Sequence, residues 1–415
     1  MSRLRFAVVT THPTQHHAPL FRYVSDDPGV HAKAFYLTDH GVRASLDPGF
    51  NSRFAWDIDL TGGYEHEFLE PGMSLEHFGF WEADTAKIGA RLADFQPHVI
   101  WIHGYAQRFL WRAMKWARNR ACVLYFGDSE LIHARSAMKR LVKSAVLPWF
   151  FGRCDVILTI GDNNEDYYRH YKVPDEKMFR GAYPIDARRF EEIASGMTQE
   201  ARAANRAGLG IPEGSFVLAT SGKLEPRKRP LDLVTALSHL PDGTTVHVLM
   251  IGEGVLRRQV EEASKELGLE GRVHVSGFVN QTEMPRMLAC ADALVMASEM
   301  DPHPLAVSEA LPLGLPIIAS DKVGCIGPSD TARPDFNAIV YSCGDPMALS
   351  RAIVRLASDK ALVRRFSKAS RSIARTQDYR TVGDVVLKSF AYLHDRHAGR
   401  FADVDRSHIE RWRCH

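Results

Sequence analysis

The sequence predicts an α/β protein of two facing, doubly wound domains with a deep cleft between them. Short β-branched apolar runs alternate with longer helical stretches. The alternation runs through twice, and a seam near residues 184–213 divides the two passes. A length of 415 residues accommodates two or three domains at roughly 150 residues each.

In the first half, Leu4–Thr10, His31–Leu37, His98–His103, Cys122–Phe126 and Asp155–Ile160 read as strands. They are short and continuously apolar, as parallel strands covered on both faces are. Phe109–Asn119 reads as a helix with cations toward its end, where the helix dipole favours them. The seam carries Pro184, a charged, alanine-rich run and Gly208-Leu-Gly-Ile-Pro212. In the second half, Ser215–Thr220, Thr245–Ile251, Arg272–Ser276, Ala293–Met296 and Pro316–Ala319 read as strands. Pro230–Leu240, Val255–Leu267 and Glu283–Ala289 read as the helices between them. Leu256, Val260, Ala263 and Leu267 form one apolar stripe. A last helix near Thr381–His394 carries Val382, Val386, Phe390 and Leu393 on one face. The expected boundaries are a first domain over 1–190, a linker region over 191–213 and a second domain over 214–375. A helix and tail over 376–415 are expected to return to the first domain.

Fifty-two Lys and Arg against fifty Asp and Glu give a formal charge of +2, too balanced for a general nucleic-acid binder. The six cysteines form no CxxC pair and no Cys/His ligand spacing, so reduced thiols in a cytoplasmic protein are expected. The first residues lack a cleavage-site pattern, and no apolar run approaches the ~18–20 residues of a membrane span.

The chemistry concentrates in two segments. In Ser221-Gly-Lys-Leu-Glu-Pro-Arg-Lys-Arg-Pro230, Gly222 permits a tight turn after a strand. Lys223, Arg227, Lys228 and Arg229 then place positive charge at the cleft mouth, facing either solvent or a phosphate. In Ser298–Ser320, a loop enters a helix near Pro304 or Leu305. The amides of Leu305, Ala306 and Val307 would open from the helix start as an anion site. Asp301 and Glu309 would repel a diphosphate; they suit sugar or ribose hydroxyls, or else they cap the helix.

Together these segments resemble the second domain of a GT-B glycosyltransferase, specifically glycosyltransferase family 4. That family has a Gly-Arg-…-Lys-Gly loop, then Glu-x7-Glu, then Glu-Ala-…-Gly-x-Pro-Val/Ile. Lys228 matches its diphosphate-binding lysine, Lys223 takes the arginine position, and Asp301 and Glu309 match Glu-x7-Glu with the first residue shortened. Gly252-Glu253-Gly254 matches its Gly-x-Gly, and Gly277-Phe278-Val279 matches the segment framing the nucleotide base. The resemblance covers about residues 215–345. It implies a Rossmann-like GT-B fold and a nucleoside diphosphate sugar as donor substrate, with no cofactor and no metal. Glu309 would hold the ribose, and Asp301 with His303 and Pro304 would meet the sugar and phosphate. Lys223 and Lys228 would neutralise the departing diphosphate. Family 4 members retain anomeric configuration. The expected acceptor is a glycan, a lipid-linked sugar or a small molecule in surface polysaccharide or glycoconjugate synthesis. Two rivals stand beside transfer: a nucleotide-sugar 2-epimerase of the same fold, and a non-catalytic sugar-nucleotide-binding protein.

The first half resembles the family only in layout. Thr11-His-Pro-Thr-Gln-His-His-Ala-Pro19 follows the first strand; three histidines in six residues could be metal ligands, but His16 and His17 are adjacent, which suits one metal poorly, so they read as an acceptor-facing loop or a surface turn. Asp128 stands where many members have a histidine at the sugar. It could orient an acceptor hydroxyl, act as base, or cap a helix. His103 ends a strand at the cleft, as an acceptor-side residue or a structural one. Asp57-Ile-Asp59 looks like a metal-binding DxD without the matching architecture.

Between Glu130 and Asp155 there is no acidic residue, while Arg135, Lys139, Arg140, Lys143 and Arg153 interleave with apolar and aromatic side chains. Residues 135–153 therefore either lie peripherally on the inner face of the plasma membrane or form a cationic helix with an ordinary core face.

Overall fold

A computed structural model describes residues 2–47, 52–74, 78–133 and 136–415; Arg135 lies outside them. In chain order the strands of the first lobe are β1 (Leu4–Thr10), β2 (Val30–Tyr36), β3 (Ser45–Asp47), β4 (Ser52–Phe54), β5 (Glu65–Phe68), β6 (Val99–His103), β7 (Cys122–Phe126), β8 (Val156–Thr159) and β9 (Met178–Arg180). The second lobe has β10 (Phe216–Ser221), β11 (Val246–Ile251), β12 (Val273–Gly277), β13 (Ala293–Met296), β14 (Ile317–Ser320) and β15 (Ala338–Tyr341).

The first lobe's sheet has the order β5-β2-β1-β6-β7-β8-β9, and the second lobe's sheet β12-β11-β10-β13-β14-β15. The pairings in both sheets are parallel. β3 and β4 form a separate antiparallel pair. Side chains alternate between faces, so strands covered by helices on both sides read as unbroken apolar runs. In β6, Val99 and Trp101 enter one core while Ile100 and Ile102 enter the other. The second sheet divides β10 the same way, with Val217 and Ala219 on one face and Leu218 on the other.

Of the strands unmarked in the sequence, β15 is a buried apolar run, Ala-Ile-Val-Tyr, that sequence reasoning missed, whereas two edge strands gave little to read. β5 reads Glu-His-Glu-Phe at the sheet edge, and β9 spans three residues at the opposite edge. Neither carries the apolar run of an interior strand. The stripe expected on the helix Arg257–Glu266 shortens: Val260 is buried, but Leu267 lies past the helix end and faces solvent.

The region 191–213 folds as structure of the second lobe. It contains the end of the helix Ala187–Gly196 and all of Gln199–Gly208. Arg202 and Arg206 each reach Asp292 at 2.8 Å, and Phe190 and Ile211 join the second lobe's core. The helix Tyr379–Arg396 crosses back, burying Val382, Val386, Phe390 and Leu393 in the first lobe's core.

Both sheets turn the carboxyl ends of their strands toward the space between the lobes. Strand order reverses at β1/β6 and at β10/β13, and loops diverging at such a point leave a crevice for a ligand.

Candidate functional site

A cavity of about 530 Å³ opens where the two reversals face each other, a size typical of small-molecule sites. Its second-lobe wall is made by loops after β10, β11, β12 and β13. Gly252 is a glycine for a steric reason: a Cβ there would lie 1.9 Å from the Gly222 carbonyl oxygen. At Gly254 it would lie 2.5 Å from that of Leu224. The Gly-x-Gly after β11 thus lets one backbone press directly on the loop that carries the lysines.

Gly222, Lys223, Arg227 and Lys228 line the cavity. Arg229 does not; it turns away to Asp232 at 2.6 Å and Glu299 at 3.2 Å, so the cationic cluster at the cleft is three residues rather than four. Lys228 forms an ion pair with Asp301. That bond brings the two halves of the motif together across 73 residues of chain. Asp301 does not cap the neighbouring helix, whose N-cap is Pro304 with no side-chain cap. Pro304 therefore precedes the helix Leu305–Ala310 rather than opening its first turn.

Leu305 and Ala306 line the cavity, whereas Val307 is fully buried and its amide donates to the Pro304 carbonyl at 3.1 Å. The first helical bond spends that amide, so two backbone donors face the cavity instead of three. Glu253 also falls outside: its carboxylate is held by Arg257 at 2.6 Å, and only the flanking Gly252 reaches the wall. Phe278 and Val279 line the end of the cavity where Trp56 of the first lobe approaches, with ring centroids 6.3 Å apart for Trp56 and Phe278.

Glu309 is buried and lines both this cavity and a smaller one of about 140 Å³. Burial pushes its carboxyl up to about 7, against the pull of Arg189 and a hydrogen bond from Gln281. Arg189 grips Gln281 at its carbonyl (2.9 Å) and its side-chain oxygen (3.0 Å). Sequence reasoning missed both residues. Gln281, two beyond Val279, was within reach of the motif; Arg189 carried no signal.

His303 lines the cavity with its ring stacked on Tyr183 at 5.5 Å. Its Nε2 faces Thr331 at 3.4 Å and Asp330 at 3.7 Å, while Nδ1 is buried with no partner among the described residues.

The first-lobe wall differs from expectation. His12, Thr14, Gln15, His40 and Tyr183 line it; His16, His17 and His103 do not. His16 borders the smaller cavity. His17 opens the helix His17–Asp26 and points into the core, against Phe21 at 5.7 Å and Phe126 at 5.0 Å. His103 packs edge-on against His17 at 4.7 Å. Burial comes first in holding His16 and His17 well below the usual imidazole range, with repulsion from His103 and His12 added at both and from His16 added at His17; burial alone lowers His103 to about 4. They are a neutral packed cluster behind the wall.

Asp128 follows β7 and caps no helix; the next helix, Ala137–Phe151, is capped by Ser136. Unlike Lys223, Lys228, Asp301 and Glu309, Asp128 is not among the residues lining the cavity; it stands exposed beside it. The protein atoms around its carboxyl come first among the causes raising its pKa; His303 opposes the rise, while Asp301 and Glu130 add to it.

Asp57-Ile-Asp59 is an attachment between the lobes. Asp57 accepts from the Thr282 amide at 3.1 Å and from the Thr282 hydroxyl. Asn280 donates to the Ala55 carbonyl at 2.8 Å. Asp59 ties its own turn, accepting from Gly62 at 2.8 Å. Among the described residues one group of side chains has the spacing to hold a metal: Cys122, Asp155 and His397. It lies at the amino ends of β7 and β8, away from the cleft, with Arg400 facing the Cys122 sulfur at 3.5 Å.

Residues 201–373 match the family "Glycosyl transferases group 1". The lipopolysaccharide core biosynthesis glycosyltransferase LpsD of Rhizobium meliloti (strain 1021) is 32% identical over 186 residues, 45% of this chain and 52% of LpsD. A UDP-Gal:alpha-D-GlcNAc-diphosphoundecaprenol alpha-1,3-galactosyltransferase of Escherichia coli is 28% identical over 160 residues, 37% of this chain and 40% of that enzyme. The chain spans about half the length of the curated relatives it matches. The crystal structure of Anabaena Alr3699/HepE in complex with UDP superposes with a TM-score of 0.70 at 14% identity, covering 94% of this chain and all of that one. The fold is GT-B.

Proposed function

We propose that the protein is a retaining glycosyltransferase, moving a sugar from a nucleoside diphosphate sugar to a glycan or lipid-linked acceptor in surface polysaccharide synthesis. One observation carries the reading. A single cavity gathers Lys223, Lys228, the Leu305 and Ala306 amides and the buried Glu309 at the carboxyl ends of both sheets. The lysines and amides suit a diphosphate, since donors fixed where charge develops stabilise a leaving group without reorganising. The arriving diphosphate would compete with Asp301 for Lys228 and release Asp301, beside His303, to the sugar's hydroxyls. Glu309 would accept from the ribose, and Phe278 and Val279 would frame the base. In the transfer the bond from the sugar's anomeric carbon to phosphate breaks. A bond from that carbon to the acceptor oxygen forms, and the acceptor's proton leaves. Asp128, its pKa raised, suits the capture of that proton. LpsD, the E. coli galactosyltransferase and HepE with UDP support the class of donor and acceptor. Retention of configuration rests on the resemblance of the Lys228 and Asp301/Glu309 motifs.

Thermal denaturation with UDP and UDP-glucose, with and without a chelator, tests the binding. The expected result is stabilisation that survives chelation and disappears in Lys228→Ala. Equal stabilisation of Lys228→Ala, or a strict need for divalent ions, refutes the lysine clamp. Consumption of UDP-glucose without transfer to any acceptor would instead favour epimerisation.

A further inference from the structure

We propose that the helix Ala137–Phe151, together with an aromatic ledge beside it, is a docking surface for an anionic lipid bilayer. An amphipathic helix packed on a lobe should bury its apolar side chains. Here Leu147, Phe150 and Phe151 do so. The rest of its apolar residues face water: Met138 is 70% exposed, Leu141 67% and Trp149 51%, with Val142 and Val146 beside them. The first two turns therefore add nothing to the core. An apolar face left in water marks a contact surface.

The surface extends beyond the helix. Trp149 stacks on Trp111 at 6.0 Å, Trp111 meets Phe80 at 6.2 Å, and Phe80 meets Trp81 at 5.1 Å. Trp81 is 71% exposed. Three separate chain segments thus build one aromatic ledge continuous with the exposed helix, which no local sequence pattern could reveal. Exposed indole rings beside aliphatic side chains suit the headgroup boundary, where one end of a ring is apolar and the other wet.

Charge selects the occupant. Lys139 and Arg140 stand exposed between the apolar residues. Arg153 lies 3.4 Å over the Trp149 ring, and Arg108 4.9 Å over Trp81. No acidic residue occurs between Glu130 and Asp155. Of the carboxylates near the ledge, Asp84 is matched by Arg112 at 2.6 Å, while Glu82, beside Trp81, stays exposed and accepts from the Gly79 amide at 3.2 Å, leaving the cations in excess. Cations interleaved with apolar side chains complement an anionic leaflet. A second copy seated symmetrically on the same face would set these cations against their own images.

The placement also joins the surface to the cleft. The chain runs from Asp128 through Glu130 and His133, whose Nε2 faces the second-lobe carbonyls of Glu299 (3.0 Å) and Lys322 (3.1 Å), and then into the helix. On the transferase reading, a bilayer held on this helix would present a membrane-borne acceptor to the lobe that carries Asp128. Docking itself does not depend on the transferase reading; only this consequence for a membrane-borne acceptor does.

The test is co-sedimentation of the full chain with vesicles of phosphatidylglycerol mixed with phosphatidylcholine, and with phosphatidylcholine alone, at low and high salt. The protein is expected to bind the anionic vesicles and to release in salt. Lys139→Glu/Arg140→Glu should weaken binding more than about tenfold, at roughly 1 kcal/mol per charge near the surface. Leu141→Ser/Trp149→Ser should weaken it while leaving the salt dependence in place. Neither pair should change the melting temperature by more than a few degrees, because these side chains make no core. Absence of binding, equal binding to both vesicles, or binding unchanged in both variants overturns the proposal. So does a dimer in sedimentation that the Leu141→Ser/Trp149→Ser pair dissolves.

Discussion

Glu309 joins the site to stability at the level of one proton. In the folded chain burial holds its carboxyl at about 7, against an ordinary value of 4.5. Between those values the folded state binds more protons than the unfolded state, so stability falls as pH rises from about 4.5 to 7 and stays lower above. Glu309→Gln removes that contribution. The variant is expected to be more stable than the parent at pH 8, by at most about 3 kcal/mol, and equal to it near pH 4.5. UDP should nevertheless stabilise it less than the parent, because the amide loses the anionic acceptor for ribose. Urea denaturation at the two pH values checks the first part, and UDP titration at pH 8 the second. A parent and variant with parallel stability–pH curves would show that Glu309 is not held protonated. The sequence made Glu309 legible through its spacing from Asp301. It did not disclose Arg189 or Gln281, which arrive from the seam and from the loop after β12. Their approach depends on how separate helices pack, and no periodicity encodes that.

At the level of elements, what was legible was whatever repeats locally. β1, β7 and β13 have the expected bounds because interior parallel strands are short apolar runs between breakers. The loops after β10, β11 and β13 were legible because close backbone approach demands glycine and a phosphate demands cations. Gly252→Ala tests the first demand. A Cβ 1.9 Å from a backbone oxygen cannot be relieved by a side-chain rotation. The variant is expected to lose roughly 2–4 kcal/mol and UDP binding together, read by denaturation and titration; a folded variant with full UDP affinity would refute the packing argument. The opposite lesson comes from Asp57-Ile-Asp59, whose spacing suggests a metal and whose placement makes a link between lobes. Asp57→Ala removes its bonds to Thr282, which lies just past Phe278 and Val279 in the loop after β12. Exposed hydrogen bonds contribute about 0.5–1.5 kcal/mol. The expected effect is a several-fold rise in the UDP dissociation constant with little change in melting temperature. An unchanged constant would mean that the link does not set the closure of the cleft over the base.

Over the whole molecule the chain's ends decide which lobe depends on what. The last helices belong to the first lobe although they follow the second in sequence. Phe390 meets Phe6 of β1 at 5.0 Å, and Trp412 meets Phe390 at 5.6 Å in a fully buried position. The apolar stripe of Tyr379–Arg396 showed that the helix must be covered, but a stripe carries no address. The address is set by the chain's return: Ile185, where the chain leaves the first lobe, bridges Asp378, where it comes back. The two crossings lie side by side, so the lobes are joined by a paired strap rather than a single linker. Trp412→Ala therefore opens a cavity in the first lobe alone. A buried Trp or Phe truncated to Ala costs about 3–5 kcal/mol. Denaturation followed with and without UDP should resolve two responses. The transition of the first lobe shifts to lower denaturant in Trp412→Ala, while the stabilisation that UDP confers on the second lobe keeps its size. If the variant instead loses both together, the paired strap transmits unfolding from one lobe to the other, and the molecule unfolds as a single cooperative unit.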